Sequence, residues 1–387
     1  SVQAAAANAA ARLGDQSGRA RALTELGNLQ GLTDDYPGAK ASLRAALELL
    51  REAGDKAGEA HALTELASMQ RMDDNAGAEA SLRAALDLYR ETGDRVGEAH
   101  ALIRLGATQN MVGDCAGAEA NLQAALKLHR ETGDKTGEAH ALIQLVQVQR
   151  LTGKYEDAVR NGESALEIVQ GLGDRLYLAT ALNKLGVAQC LVGDYACAVR
   201  NQQAAHEVYR ELGNRLGQAN ALTALAEARR LTDDLAGASR DVEEAIGIFQ
   251  DLGVRGSVAW ALNYYAAVIA DTGDAGRAIA VYQDALRLAR EARHPDDEAI
   301  ALQGLGEAHA RIGKSEDGAA YLREALEIFS RLGMPAAEHV SRRLAEIGAL
   351  LAILTTRVVV RSQSAASVRT ADLYSTLDIP ERRLNLR

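Results

Sequence analysis

An all-α solenoid of repeated helix-turn-helix units is the fold class the sequence predicts, and three observations predict it. Gly-Asp or a close variant recurs at Gly14-Asp15, Gly54-Asp55, Gly93-Asp94, Gly133-Asp134, Gly173-Asp174, Gly213-Asn214 and Gly253-Val254, in steps of 39 or 40 residues. Six residues after each of these glycines the chain reads Ala-x-Ala-Leu, from Ala20 to Leu23 through Ala259 to Leu262, with an eighth, unpunctuated copy at Ala299 to Leu302. Self-similarity at a fixed period of this size marks stacked supersecondary units. The third observation is composition: 47% of the 387 residues are hydrophobic but only 4% aromatic, with 2 Phe and 1 Trp. A chain so poor in aromatic residues and rich in Ala and Leu suits close helix packing, not a sandwich or barrel.

Each copy reads as two helices. In the third, Ala99, Leu102, Leu105, Gly106 and Gln109 fall at helical spacing, and so do Ala118, Leu122, Ala125 and Leu126. Turns of the type Val112-Gly113-Asp114 or Thr33-Asp34-Asp35 separate the helices, with Gly suited to a left-handed C-cap and Asp to the next N-cap. Small residues at Gly106, Ala118 and Ala125 let helix axes approach to the short end of the roughly 8–10 Å range.

The ends read differently. Residues 1–15 fit the second helix of a preceding copy, residues 16–333 eight repeats, and residues 334–354 a capping helix with Leu344 and Ala345 in the Leu-Gly positions. Residues 355–387 carry no repeat pattern; six Arg against three acids give this tail +3 and leave −13 on the rest of a chain of net −10. Cys115, Cys190 and Cys197 form no C-x-x-C pair, so reduced, buried thiols and a cytoplasmic location are expected. The longest uncharged apolar run, Ile347 to Leu354, is far short of the roughly 20 residues of a membrane span.

Leu102, Leu105, Gly106, Ala118, Leu122 and Ala125 lie at the spacing of the tetratricopeptide repeat (TPR), and the resemblance covers residues 20 to about 333. The period is longer than that family's 34 residues, and Gly-Asp replaces the proline expected near the end of the second helix. Both departures resemble Leu-Gly-Asn repeat proteins and the C-terminal regions of large actinobacterial transcriptional activators of the antibiotic-regulatory type. The resemblance implies a right-handed superhelix that binds a partner on its concave face, through positions one, four, eight and eleven places after the opening Ala. In the first half these positions hold Arg21, Asn28, His61, Arg71, His100, Asn110, His140, Gln147 and Arg150. In the second half they hold Asn183, Asn220, Glu227, Arg230, Trp260, Asn263 and Gln303. Amide, His and Arg side chains at this spacing suit hydrogen bonding to a peptide, with Trp260 as an aromatic anchor; the same side chains also suit plain solvated helix faces. Binding of chaperone tails is not expected, since the groove lacks the Lys and paired Asn with which chaperone-binding relatives clamp a terminal carboxylate.

His61, His100 and His140 occupy one position in three successive copies. Equivalent positions roughly 10 Å apart do not share a zinc held at about 2 Å, so a ladder of histidines that confers pH-dependent binding is the expectation, not a metal site. Catalytic signatures are poor. His206-Glu207 lacks the second His of a metalloprotease helix, Gly304-x-Gly306 lies within a repeat helix, and the pairs Asp34-Asp35, Asp73-Asp74 and Asp233-Asp234 recur at turns, where capping explains them. An acidic body without a basic stripe disfavours nucleic acid; the basic tail is free to contact the acidic solenoid. The sequence therefore points to a protein- or peptide-binding scaffold, by resemblance the regulatory or sensor arm of a bacterial transcriptional regulator, without cofactor or catalysis. A small-ligand or signalling-peptide sensor, built as a closed superhelix around a pocket, stays open beside it, as does a cryptic enzyme.

Overall fold

The computed structural model describes residues 15–348 apart from Met72. The helix assigned to residues 1–15 lies outside the described residues except for Asp15, as do the basic tail 355–387 and the last part of the 334–354 helix. The first four units are α1 (Gln16–Leu32) and α2 (Tyr36–Ala53), α3 (Lys56–Gln70) and α4 (Asn75–Thr92), α5 (Arg95–Met111) and α6 (Cys115–Thr132), α7 (Lys135–Leu151) and α8 (Tyr155–Leu172). Then follow α9 (Arg175–Leu191) and α10 (Tyr195–Glu211), α11 (Arg215–Leu231) and α12 (Leu235–Asp251), α13 (Arg255–Asp271) and α14 (Ala275–Ala292), α15 (Pro295–Arg311) and α16 (Ser315–Arg331). A helical run at 336–348 follows, burying Val340 and Ile347 in one cluster with Leu322 and Phe329. Each helix packs on its predecessor and successor, and first helices of adjacent units also touch, which is the order of an α-solenoid.

The repeated turn chemistry sets the helix limits. Asp15, Asp35, Asp55, Asp74, Asp94, Asp114 and Asp134 each accept a hydrogen bond from the backbone N–H three residues on, satisfying one of the orphan donors at a helix start. Gly54, Gly93, Gly133 and Gly173 end second helices with positive φ. The copy without a glycine keeps the geometry: Arg293 itself adopts φ 57°, and Asp34 and Asp233 do the same at the inner turns.

Inside each unit two contacts lock the helix pair. Gln30, Gln109, Gln149 and Gln189 accept at Oε1 from Ser42, Asn121, Asn161 and Asn201, 12 residues on. In the second unit Ser81 reaches Gln70 across 11 residues, which places the single 39-residue step in the turn between α3 and α4. The second contact is one of size. A Cβ on Gly106 would stand 2.9 Å from Leu122 Cγ and 3.1 Å from the Ala118 carbonyl oxygen, so only glycine fits beneath that leucine. One unit later the sizes exchange, with Val146 at the glycine position and Gly162 at the leucine position, and Val146 is 1% exposed. The sum of volumes, not the residue at either place, is what the helix spacing holds constant.

Candidate concave groove

The first helices turn one face inward, and the later units wrap far enough for α7 and α15 to line one cavity of about 470 Å³. Among the sequence-predicted residues it gathers Gln147, Arg150, Asn183, Asn220, Glu227 and Trp260. An adjoining cavity of about 320 Å³ shares Glu227 and Trp260 and adds Arg230, Asn263 and Gln303. At the rim the superhelix nearly closes: a Cβ on Gly153, in the turn after α7, would lie 3.2 Å from Pro335. In the first half, His61 and His100 line one shallow hollow and Arg71 and His140 another, both bordered by Arg104. Arg21, Asn28 and Asn110 line none of these cavities.

Several of these side chains are already engaged. Asn183 Nδ2 donates to Gln202 Oε1 at 2.8 Å, and Asn263, 3% exposed, donates to the Asp297 carbonyl at 3.0 Å. Arg230 holds Glu227 through two hydrogen bonds at 2.8 and 2.9 Å and pairs with Asp271 as well, which pushes its pKa up. These three brace the wall. Arg150 is free of ion pairs among the described residues, and Trp260 meets Tyr264 edge-on at 5.5 Å and Phe249 at 6.4 Å.

Sequence spacing missed the position five places after the opening Ala, which brings Glu65, Arg104, Gln144, Lys184 and Tyr264 into the groove. Helical periodicity sets it beside positions one and eight, so it was findable. Lys184 donates to Gln147 Oε1 at 3.1 Å, and burial, followed by the charge of Arg150, lowers its pKa to about 8. Opposite them, burial and then the neighbouring Asp296 raise the Asp297 carboxyl to about 7. Burial pushes the Tyr264 phenol up to about 12, and both Arg150 and Asp297 act on it electrostatically. The cavity thus has a cationic wall on α7 and α9 and an acidic wall at the start of α15. Cations scattered in the sequence, Arg71, Arg104, Arg150 and Lys184, gather on the concave side of an otherwise acidic body.

Two expectations need correction. The histidine rungs are not equivalent: His140 is half-buried, and burial, followed by the charges of His100 and Arg104, lowers it to about 4, so this rung does not titrate near neutrality. The cysteines are free but half-buried, not buried; Cys190 lines the main cavity, and desolvation raises its thiol to about 12.

The family model described as Tetratricopeptide repeat matches residues 97–171, 177–251 and 257–331, more than half of the chain, and a model for anaphase-promoting complex subunit 5 matches residues 20–73. The chain belongs to the tetratricopeptide-repeat family. No curated protein matches it in sequence. Solved structures similar in fold include the apo quorum sensor NprR from B. thuringiensis, at 13% identity and a TM-score of 0.62, covering 81% of this chain and 88% of that one. A Rap protein complexed with Competence and Sporulation Factor is similar at 14% identity and a TM-score of 0.58, covering 87% and 99%. A signal transduction ATPase with a tetratricopeptide repeat sensor from Pyrococcus horikoshii is similar at 15% identity and a TM-score of 0.55, covering 85% of this chain and 50% of that one. At these identities the likeness is one of fold. No described helix is long and apolar enough to cross a membrane.

Proposed function

We propose that this chain is a recognition module that takes a peptide in its concave groove, at the part enclosed between α7 and α15. The observation that carries the reading is the shared cavity, where side chains from five successive units, Arg150, Lys184, Asn220, Trp260 and Asp297 among them, converge. Its opposed cationic and acidic walls suit the charges of a short peptide, and Trp260 with Tyr264 offers apolar area for an anchor side chain. The Rap and NprR likenesses, by their descriptions a complex with Competence and Sporulation Factor and a quorum sensor, support a signalling factor as the ligand, which this reading takes to be a peptide. In this reading Gln147, Arg150, Asn220, Glu227, Trp260 and Gln303 contact the ligand, Asn183, Arg230 and Asn263 hold the wall, and Arg21, Asn28, His61, Arg71, His100, Asn110 and His140 extend the surface for a longer partner. We further propose a cytoplasmic regulatory role resembling the sensor arms of actinobacterial activators, with binding and not catalysis as the activity. A small-molecule ligand is the second reading, favoured by the near closure at Gly153 and Pro335.

Trp260 is the only tryptophan of the chain, so its fluorescence reports on the cavity wall. Titration with pooled synthetic peptides and with small-molecule fractions of the native host extract should give a saturable change with one class and not the other. Loss of that change in Arg150→Ala and Asn220→Ala supports the reading; a peptide that binds both variants as it binds the parent chain overturns it.

A further inference from the structure

Imidazoles meet in the third unit, but not along the ladder of first-helix histidines. His129, from α6, is fully buried, and its ring centroid lies 5.4 Å from that of His100 on α5. Its Nδ1 is 3.0 Å from Oδ2 of Asp134, and His100 Nε2 is 3.9 Å from the same oxygen. Neither ring nitrogen of His129 has an aligned hydrogen-bond partner among the described residues, an expensive state for a buried polar ring. Asp134 caps α7 through Oδ1, which accepts from Gly137 N–H at 2.9 Å, leaving Oδ2 to face the two imidazoles.

The second and fifth units show that the fold does not require this arrangement. Tyr89 and Tyr209 stand at the His129 position, each against the corresponding glycine, Gly97 or Gly217, as His129 stands against Gly137. Their hydroxyls lie 3.5 and 3.1 Å from Thr64 and Thr180, which satisfies them. In the third unit Ile103 and His100 replace the threonines, so a tyrosine–threonine contact has become a pair of imidazoles beside a carboxylate.

We propose that His100, His129 and Asp134 bind a divalent transition-metal ion of the zinc or cobalt type. Each offers one ligand atom, and these three atoms lie within 4.8 Å of one another. Ligands about 2.1 Å from a tetrahedral ion stand roughly 3.4 Å apart, a spacing bracketed by the 3.0 and 3.9 Å observed here. Two imidazoles and one carboxylate select borderline ions over magnesium or calcium, and the Gly137 N–H fixes the carboxylate from behind, as outer-shell donors do. The ion joins α5, α6 and the start of α7, the junction of two successive units, and the exposed side of His100 leaves a fourth position open to solvent or to a ligand's donor atom.

The test is cobalt uptake by the full chain freed of any purification tag. One Co²⁺ per chain with the visible absorption of tetrahedral cobalt, displaced by Zn²⁺, is expected. His129→Tyr installs the residue that the second and fifth units hold at this position, so the variant should still fold and unfold cooperatively without metal while losing cobalt affinity by more than the about 100-fold that outer-shell losses reach. The exposed variant His100→Ala should lose affinity similarly, and His61→Ala should bind as the parent does. Absence of saturable uptake, or uptake that survives His129→Tyr and His100→Ala, overturns the proposal.

Discussion

Asn121 Nδ2 donates to Gln109 Oε1 at 2.6 Å, while Gln109 Nε2 donates to the capping carboxylate of Asp114 at 3.1 Å. One amide thus ties the end of a first helix, the turn and the second helix of its unit together. In the next unit Gln149 bonds Asn161 at 2.8 Å, but the N-cap there is Lys154, which supplies no such acceptor. Gln109→Leu should therefore cost about 2 kcal/mol and Gln149→Leu about 1 kcal/mol. Urea unfolding of the two variants checks the order; equal costs would mean the cap contact contributes nothing.

The exchange of sizes between units gives a second expectation. Gly106→Val drives a branched side chain into Leu122 and should destabilise by about 3 kcal/mol. Gly106→Val combined with Leu122→Gly copies the pair that Val146 and Gly162 form, and should recover much of that loss. Because the two residues touch, the cycle should show coupling of about 1 kcal/mol or more; additive losses in thermal unfolding would refute the packing argument.

Arg293 carries φ 57° at a position where other units have glycine. Relief of the left-handed strain should make Arg293→Gly more stable by about 1 kcal/mol. Gly133→Arg, the reverse change at an equivalent turn with φ 74°, should destabilise by a similar amount. Chemical denaturation of both decides whether the turn or the arginine side chain matters.

Asp297 gives a pH dependence whose sign is fixed by its burial. Its folded pKa of about 7 stands above the ordinary aspartate value of about 3.9, so the folded state holds the proton more tightly. The associated stability is complete below about pH 4 and is lost as pH rises to 7. Asp297→Asn should remove this slope and exceed the parent in stability at pH 8 by on the order of 2 kcal/mol. Unfolding measured at pH 5 and pH 8 checks it; an unchanged slope in the variant would assign the pH dependence to other groups.

Much of the fold was legible because each unit states it again: Ala-x-Ala-Leu marks the buried face of a first helix, and Gly-Asp marks the turns. The groove was legible only in part. Position counting found Gln147, Arg150, Asn220 and Trp260, yet the closure that brings α7 opposite α15 accumulates from small rotations over five units and is written in no single window. The same counting passed over Lys184 and Tyr264 by one residue, and it treated Asn183 and Asn263 as free amides when both are committed to neighbouring helices. His129 escaped because it sits on a second helix, in a position that other units fill with Leu50, Tyr89, Val169, Tyr209 or Phe249.

The shortened turn between α3 and α4 bears on how such chains change. Ser81 still meets Gln70 although the connection is one residue shorter, because the lock joins helix to helix and ignores the path between them. Loss of a codon there leaves every buried face in phase, whereas the same loss inside α3 would rotate all later positions by about 100°. Tolerance of deletion is therefore confined to the corners of the solenoid, and these are the places where an engineer can insert a tag, a fluorophore or a second binding loop without disturbing the groove.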